Sequence, residues 1–274
     1  MFALYIIATP IGNLEDISLR ALRLLGQVKL IAAEDTRTTR HLLNAYNIKA
    51  NVTSYHEHNK KAKLNYLLDY LKEGDVALVS EAGMPGLSDT GYEIILAAIE
   101  RGIPVVPVPG ASAVVTGLVA SGLPADQFLY LGFLPRRKGD RQRLLESVAN
   151  EPRTIVAFEA PHRLLSSLKD ALEILGERRV AACRELTKIH EEIFRGTLSQ
   201  AIAHFTQPRG EFTLVVEGKK RGEPEINEYI EMELIKLHQR GITAKEAIAH
   251  LSKTSGVSRK KLYQAWLRTN KGEK

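Results

Sequence analysis

The chain has 274 residues, of which 44% are hydrophobic and 26% charged, a composition that supports folded domains with buried cores. No apolar run reaches the roughly 18 residues of a transmembrane helix. A single cysteine, Cys183, excludes an internal disulfide or a zinc cluster and favours a cytosolic location. The formal net charge of +6 comes from residues 219–274, which contain 13 Lys or Arg and 7 Asp or Glu. The rest of the chain contains 25 basic and 25 acidic residues, so its net charge is zero.

Short β-branched runs alternate with helical patterns along most of the chain. The first run, in MFALYIIATP, lacks a basic leader and a small-residue cleavage site, so it predicts a strand rather than a signal peptide. The predicted strands are Leu4–Ala8, Lys29–Ala33, Val76–Val79, Pro104–Val108, Thr154–Phe158, Val180–Cys183 and Thr213–Val216. The predicted helices include Lys60–Leu71, Tyr92–Glu100, Ala111–Ala120 and Arg163–Leu175. This alternation predicts an α/β fold with mainly parallel strands.

Two composition breaks predict the domain boundaries. The segment GFLPRRKGDRQR, Gly132–Arg143, combines a proline, two glycines and five basic residues, which is typical of a linker that runs into a helix. A second break is EGKKRGEPE, Glu217–Glu225. We therefore expect α/β domains at residues 1–131 and 132–218 and a small basic helical domain at residues 219–274.

The C-terminal segment has the capping and turn residues that are typical of a helix-turn-helix. The sequence TAKE, Thr243–Glu246, fits a capping box, Gly256 permits a turn, and Ser258 can cap a second helix through Trp266. Basic residues lie on or near that helix, namely Arg259, Lys260, Lys261 and Arg268. Contact with nucleic acid, and a packing or dimerisation role, both remain open.

Several common site motifs are absent. The sequence has no phosphate-binding P-loop, no G-x-G-x-x-G after the first strand, and no G-x-S-x-G nucleophile elbow. His56 and His58 lie close together but lack an evident third ligand, so no metal site is predicted. Cys183 ends a predicted buried strand, where an inert core thiol is expected.

Prolines recur where the predicted strands end. The segments ATPIGNLEDIS, SEAGMPG and VPVPGASA contain Pro10, Pro85, Pro107 and Pro109, which lack an N–H and leave these edges richer in carbonyls than in donors. Ligands of open α/β sheets bind at this edge. A carbonyl-rich edge suits a cationic adenosine ligand such as S-adenosylmethionine, whereas simple strand-to-helix turns are the alternative.

The same segments belong to a longer series of motifs. In chain order these are TPIGNLEDIS (9–18), LIAAEDTR (30–37), VSEAGMPGLSD (79–89), VPVPGASA (106–113), GFLPRRKGDR (132–141), FEAPHR (158–163), CRELTKIHEE (183–192), RGTL (195–198) and GEFTLVVEG (210–218). Together they closely resemble the ribosomal RNA small-subunit methyltransferase I family, the cytidine 2′-O-methyltransferases of the tetrapyrrole-methylase superfamily.

The resemblance implies a homodimer of chains with two α/β domains, the cofactor S-adenosylmethionine in the cleft between them, and a small C-terminal helical domain. It implies methyl transfer to the ribose 2′-oxygen of a cytidine in the decoding region of small-subunit (16S) ribosomal RNA. The implied cofactor-binding residues are Pro10, Glu81, Ala82, Gly83, Ser112, Ala113, Phe158, Glu185 and Phe212. Where the wider superfamily has Gly-Asp-Pro, this chain has Ser80-Glu81-Ala82-Gly83.

The 2′-hydroxyl proton needs an acceptor, and two acids follow the second strand. Glu34 or Asp35 can act as a general base, and Arg37 can hold a phosphate, but either acid can instead cap the helix that begins near Thr36. His56 and His58 are the next candidates for the base. His162 and Arg163 are candidates for binding the RNA backbone, as is the basic set in the linker: Arg136, Arg137, Lys138, Arg141 and Arg143.

Two other functions remain alternatives. A corrin or porphyrinogen C-methyltransferase of the same superfamily would share the cofactor cleft, although a small acidic macrocycle needs no basic helical tail. A non-catalytic RNA-binding assembly factor would keep the basic segments and would not bind the cofactor.

Overall fold

The computed structural model describes residues 2–88, 90–220 and 225–269. The chain divides into two compact units, Met1–Lys219 and Lys220–Lys274. The second predicted break, Glu217–Glu225, includes residues 221–224, which lie outside the described residues. The boundary between the two units nevertheless lies within that break.

The first half of the larger unit is built on a five-stranded parallel sheet with the order β3-β2-β4-β1-β5. Its strands are β1 (Leu4–Ile7), β2 (Leu30–Ala33), β3 (Val52–Ser54), β4 (Val76–Val79) and β5 (Val105–Val108). Its helices are α1 (Leu19–Gln27), α2 (Thr36–Ala45), α3 (Lys60–Tyr70), α4 (Tyr92–Glu100) and α5 (Ala113–Ser121), with a 3-10 turn at Leu14–Asp16. Strands β2 and β4 are buried along their whole length, as expected for parallel strands covered on both faces.

The second half is built on a five-stranded mixed sheet with the order β6-β7-β10-β8-β9. Its strands are β6 (Phe128–Phe133), β7 (Thr154–Glu159), β8 (Arg179–Arg184), β9 (Glu192–Thr197) and β10 (Phe212–Val216). Its helices are α6 (Lys138–Ser147), α7 (Pro161–Leu175) and α8 (Leu198–His204). Only β6 and β7 pair in parallel, so the prediction of mainly parallel strands is right for the first sheet and wrong for the second. The connection from β8 to β9 has no crossover helix, and without one the chain returns antiparallel.

All seven predicted strands are present, whereas β3, β6 and β9 were not predicted. These three are edge strands whose residues are half-buried or exposed, so they lack the apolar run that marks a central strand. Because β6 begins at Phe128, the second sheet starts upstream of the boundary expected at residues 131 and 132.

The smaller unit consists of α9 (Glu228–Gln239), α10 (Ala244–Ser255) and α11 (Arg259–Thr269). The predicted capping box is confirmed, since Thr243 Oγ1 accepts from Glu246 N and the Glu246 carboxylate accepts from Thr243 N. Gly256 ends α10 with a φ of +72°, and Ser258 Oγ accepts from Lys261 N at 3.4 Å. The three helices share an apolar core that includes Leu234, Leu262 and Trp266. Among the described residues, no helix has the length and apolar character needed to span a membrane.

A buried ion pair joins α6 to α7. Arg141 Nε and Nη2 lie 2.7 and 2.6 Å from Asp170 Oδ2, and both side chains are about 5% exposed. Burying two charges is costly, so the pair is stabilising only while both partners are present.

Asp170→Ala should therefore lower the free energy of unfolding of the larger unit by about 3–5 kcal/mol, because the Arg141 charge would stay buried without its partner. Chemical denaturation monitored by circular dichroism measures this loss. Removing Asp69, which pairs with Lys72 at an exposed position, should leave the transition nearly unchanged. A loss below about 1 kcal/mol for Asp170→Ala would contradict the role of the pair.

Candidate functional site

A cavity of about 620 Å³ lies where the carboxyl ends of the first sheet face the second half of the larger unit. All nine predicted cofactor-binding residues line it, namely Pro10, Glu81, Ala82, Gly83, Ser112, Ala113, Phe158, Glu185 and Phe212. Glu34 also lines it, whereas Asp35 and Arg37 do not. The position agrees with the rule that ligands of parallel sheets bind beyond the strand ends.

The loop after β4 presents bare backbone to this cavity. Gly83 has a φ of +80°, a conformation that suits glycine, and it is fixed by a two-way backbone pair with Thr9, at 2.9 and 3.0 Å. Ser80 Oγ donates to the Gly83 carbonyl at 3.2 Å and so holds the loop from inside. A Cβ placed on Gly83 would lie 3.6 Å from Ile11 Cγ2 and 3.8 Å from the Ala111 carbonyl, so a small side chain would already be in contact with its neighbours.

Two carboxylates with unbalanced charge border the loop. Glu34 follows β2, and its Oε2 accepts a hydrogen bond from Glu81 N at 3.2 Å. Neither Glu34 nor Glu81 has a salt-bridge partner within the part of the chain that the structure describes. This side of the cavity is therefore electrostatically suited to a cationic ligand.

Asp35 lies beside Glu34 but is engaged in local structure. As the N-cap of α2, it accepts from Arg37 N at 2.7 Å and from Thr38 N at 3.3 Å, and Arg37 Nη2 is 2.8 Å from its Oδ2. The Arg37 side chain and these amides lower the pKa of Asp35 to about 2, so its carboxylate is a weak proton acceptor. Asp35 therefore caps α2 instead of facing the cavity, and the Arg37 guanidinium binds the capping carboxylate.

The second half holds Glu185 rigidly. Its carboxylate accepts from Glu211 N at 2.9 Å and from Lys188 Nζ at 3.0 Å, and its backbone has an unusual φ of +50°. A Cβ on Gly210 would lie 2.4 Å from Glu185 Cγ, so only glycine fits beneath this side chain.

A contact between Asn13 and Thr187, here called the clasp, joins the two halves beside the cavity and was not predicted from the sequence. Thr187 Oγ1 accepts from Asn13 N at 3.0 Å, and the stem of Lys188 packs where a Cβ on Gly12 would be 2.4 Å away. Thr187 has a φ of +66°, which is rare for a β-branched residue. Motif spacing cannot reveal this contact, because its two sides are 174 residues apart.

Glu159 was also missed, although it lies within a quoted motif. It lines the cavity with no side-chain exposure, and its carboxylate pairs with Arg163 Nη2 at 2.6 Å and with Ser167 Oγ. Arg163 is only 13% exposed and donates to the Leu134 carbonyl at 2.8 Å. The prediction that Arg163 binds RNA is therefore not supported by its orientation; His162 is exposed and does not line the cavity.

Of the remaining candidates, two histidines lie away from this cavity and the single cysteine lines it. His56 and His58 have ring centroids 6.0 Å apart and do not line it. Cys183 lines the cavity, but burial raises the pKa of its thiol to about 11, which agrees with an inert core thiol. Among the described residues, no group of three or more His, Cys, Asp or Glu is arranged to hold a metal ion.

Comparison with known proteins gives consistent matches over most of the chain. Residues 3–202 match the family described as Tetrapyrrole (Corrin/Porphyrin) Methylases. The chain is 46% identical over 279 residues to the ribosomal RNA small subunit methyltransferase I of Halalkalibacterium halodurans, covering 96% of this chain and 94% of that protein. It is 46% identical to the protein of the same name from Synechocystis, covering 96% and 97% of the two chains.

Solved structures share the fold at lower identity. The uroporphyrin-III C-methyl transferase of Thermus thermophilus, complexed with S-adenyl homocysteine, is 21% identical with a TM-score of 0.57, covering 78% of this chain and 97% of that one. A diphthine synthase is 14% identical with a TM-score of 0.61, covering 80% and 91%. The predicted fold class is thereby confirmed, and the chain belongs to the tetrapyrrole methylase family and, within it, to the ribosomal RNA small subunit methyltransferase I family.

Proposed function

We propose that this protein transfers a methyl group from S-adenosylmethionine to the ribose 2′-oxygen of a cytidine in the decoding region of small-subunit (16S) ribosomal RNA, in the cytoplasm and within the 30S subunit. The observation that carries the proposal is the cavity itself, where the bare backbone of Gly83 lies beside the unbalanced carboxylates Glu34 and Glu81. The names of the relatives supply the RNA substrate.

The donor set of the cavity fits the cofactor. S-adenosylmethionine carries a sulfonium and an ammonium, and the lining offers carboxylates together with backbone of the segments that follow β1, β4 and β5. Lys188 is the one lysine or arginine among the described lining residues, and both Glu185 and Glu211 bind it at 3.0 Å. Phe158 and Phe212 add apolar surface suited to an adenine ring. When bound, the cofactor supplies an activated methyl group on a good leaving group.

The chain's own contribution is alignment and proton acceptance. The fixed loop at Gly83 and the clasp between Asn13 and Thr187 keep the two walls of the cavity in register, and such alignment can contribute about 7–11 kcal/mol. We assign Glu34 as the group that takes the 2′-hydroxyl proton on its carboxylate. The Glu81 amide orients this carboxylate, and its second oxygen remains available.

A homodimer would use apolar surfaces that the larger unit leaves exposed. Helix α4 exposes Tyr92, Leu96 and Ile99 at the spacing of one helix face, and α5 exposes Val115 and Val119 one turn apart. Exposed apolar faces of this kind are typical of protein interfaces and support the dimer implied by the family resemblance.

The function is tested by incubating the purified protein and labelled S-adenosylmethionine with small ribosomal subunits from cells that lack this gene. We expect one ribose-methylated cytidine in the decoding region. A methylated macrocycle on incubation with uroporphyrinogen III instead would identify a tetrapyrrole C-methyltransferase. Absence of thermal stabilisation by S-adenosylmethionine would favour a non-catalytic assembly factor.

Gly83→Val should weaken S-adenosylmethionine binding by about tenfold or more, because the branched side chain would extend from a residue that lines the cavity. Calorimetry measures the affinity. Gly102→Val is the control, since Gly102 also has a positive φ, +67°, but lies outside the cavity. Both variants should lose similar stability from left-handed backbone, so equal cofactor affinities in the two would refute the loop assignment.

Glu34→Gln should lower the single-turnover rate by about 10²–10⁴-fold, the usual contribution of a general base. Glutamine keeps an acceptor for the Glu81 amide, so cofactor affinity should stay near that of the wild type. Asp35→Asn is the control, because asparagine can still cap α2 and turnover should be nearly normal. Wild-type turnover by Glu34→Gln would redirect the search to other proton acceptors.

We also propose that the smaller unit contacts RNA phosphates. Arg259, Lys260 and Arg268 are exposed on α11, so replacing all three with alanine should flatten the slope of log affinity against log salt by about two units. RNA binding at several salt concentrations measures this slope. An unchanged slope together with a change of oligomeric state in sedimentation would instead make this unit a dimerisation element.

A further inference from the structure

Strand β6 carries a bulge that turns one aromatic side chain toward the cavity. Leu129 and Leu131 pack on the core between the sheet and its helices, while Tyr130 packs on the opposite side with Phe158. The pairing register of β6 with β7 then shifts between Tyr130 and Phe133, and Gly132 has a φ of +69°. One extra residue reverses the alternation of a strand, so Phe133 joins the side of Tyr130 and Leu134 returns to the core.

Because of the bulge, the Phe133 side chain faces the cavity instead of being buried in the core. It lines the cavity, contacts the Phe158 ring at a centroid distance of 5.3 Å, and still keeps 54% of its surface exposed. Regular alternation would have placed this ring in the apolar core, where its burial would stabilise the fold. An aromatic face held open beside a catalytic cavity is suited to stacking on a planar partner such as a nucleobase.

The chain after Phe133 is fixed by two buried arginines. Arg163 Nη1 donates to the Leu134 carbonyl at 2.8 Å, and Arg141 Nη1 donates to the Pro135 carbonyl at 3.4 Å. Each arginine is in turn held by a buried acid, Glu159 or Asp170. The segment that leaves the cavity mouth is therefore anchored on the protein interior at two successive residues.

Three exposed cations follow directly, namely Arg136, Arg137 and Lys138. In the described part of the chain, none of these three side chains has a hydrogen bond or an ion pair. The other two basic residues expected in this linker are committed elsewhere, because Arg141 is buried against Asp170 and Arg143 pairs with Asp140 at 2.5 Å. Three residues of chain span at most about 11 Å, so Arg136 lies near the Phe133 ring.

We propose that Phe133 stacks on a base of a single-stranded RNA segment at the cavity mouth while Arg136, Arg137 and Lys138 bind the neighbouring phosphates. This inference rests on the proposed function and names the surface by which the target nucleotide would be presented to the cavity. An enzyme that acts on one nucleotide must hold it out of its stack, and an aromatic ring beside a cationic strip does this without reading sequence.

Phe133→Leu should weaken binding of a single-stranded RNA oligonucleotide of the decoding-region sequence by about tenfold, because leucine keeps apolar volume but cannot stack. Phe133→Trp should restore the affinity. Phe128→Leu is the matched control, since Phe128 is also exposed on β6 but does not line the cavity. Phe128→Leu should keep the RNA affinity and the cofactor affinity of the wild type, the latter measured by calorimetry.

Replacing Arg136, Arg137 and Lys138 together with alanine should flatten the salt slope of RNA binding by about two units. The control variant replaces Lys72, Arg101 and Lys169 with alanine, which changes the net charge equally at exposed positions away from the cavity. Its salt slope should be close to that of the wild type.

Different results would contradict the proposed methyltransferase function and the proposed RNA-binding surface. If the wild type methylates no RNA, the proposed function is wrong. If the wild type methylates small subunits while Phe133→Leu and the Arg136, Arg137 and Lys138 variant match their controls in affinity, salt slope and single-turnover rate, the function stands and the proposed RNA surface is wrong.

Discussion

The site depends on one backbone pair, the two hydrogen bonds between Thr9 and Gly83. They join the ends of β1 and β4, which are neighbours in a parallel sheet and would otherwise diverge into separate loops. The pair fixes the glycine at a positive φ, so the edge that faces the cavity consists of backbone without a side chain. The acids Glu34 and Glu81 gain their positions from this loop, because the Glu81 amide is also the hydrogen-bond donor to Glu34.

Charge is divided between the cavity and its surroundings. The described lining contains five glutamates, of which Glu159, Glu185 and Glu211 are paired with cations and Glu34 and Glu81 are not. Three exposed cations, Arg136, Arg137 and Lys138, lie on the segment after β6 and do not line the cavity. An acidic interior would repel a polyanion, whereas exposed cations attract one, so this arrangement is compatible with a small cation inside the cavity and a nucleic acid at the segment after β6.

Two residues of the second half beside the cavity have strained backbone. Glu185 and Thr187 have left-handed backbone, and each is held by tertiary contacts: Glu185 by the Glu211 amide and Lys188, and Thr187 by the Asn13 amide. Such conformations persist only where the surroundings determine them. The bulge at Gly132 is a further irregularity of the backbone, and it places the Phe133 ring at the cavity instead of in the core.

The sequence by itself determined seven strands, six of them central and the seventh the edge strand β5, because burial in a sheet selects continuous apolar runs. It also determined the ends of α10, since Thr243, Glu246 and Gly256 satisfy helix termini through contacts only a few residues long. The residues that would bind the cofactor were identified through motifs, and the structure places all nine of them on one cavity.

Tertiary structure alone decided which polar side chains remain available. The Asp35–Arg37 contact spans only two residues, and the sequence had already offered helix capping for Asp35. Arg141 and Arg163 also look like site residues in the sequence, but they are engaged by Asp170 and by the Leu134 carbonyl, each 29 residues away. The edge strands, the antiparallel direction of the second sheet and the bulge that exposes Phe133 were likewise beyond the sequence pattern. The physical reason is common to all of them: local periodicity records which residues are buried, whereas pairing direction, register and charge partners are set by contacts between residues far apart in the chain.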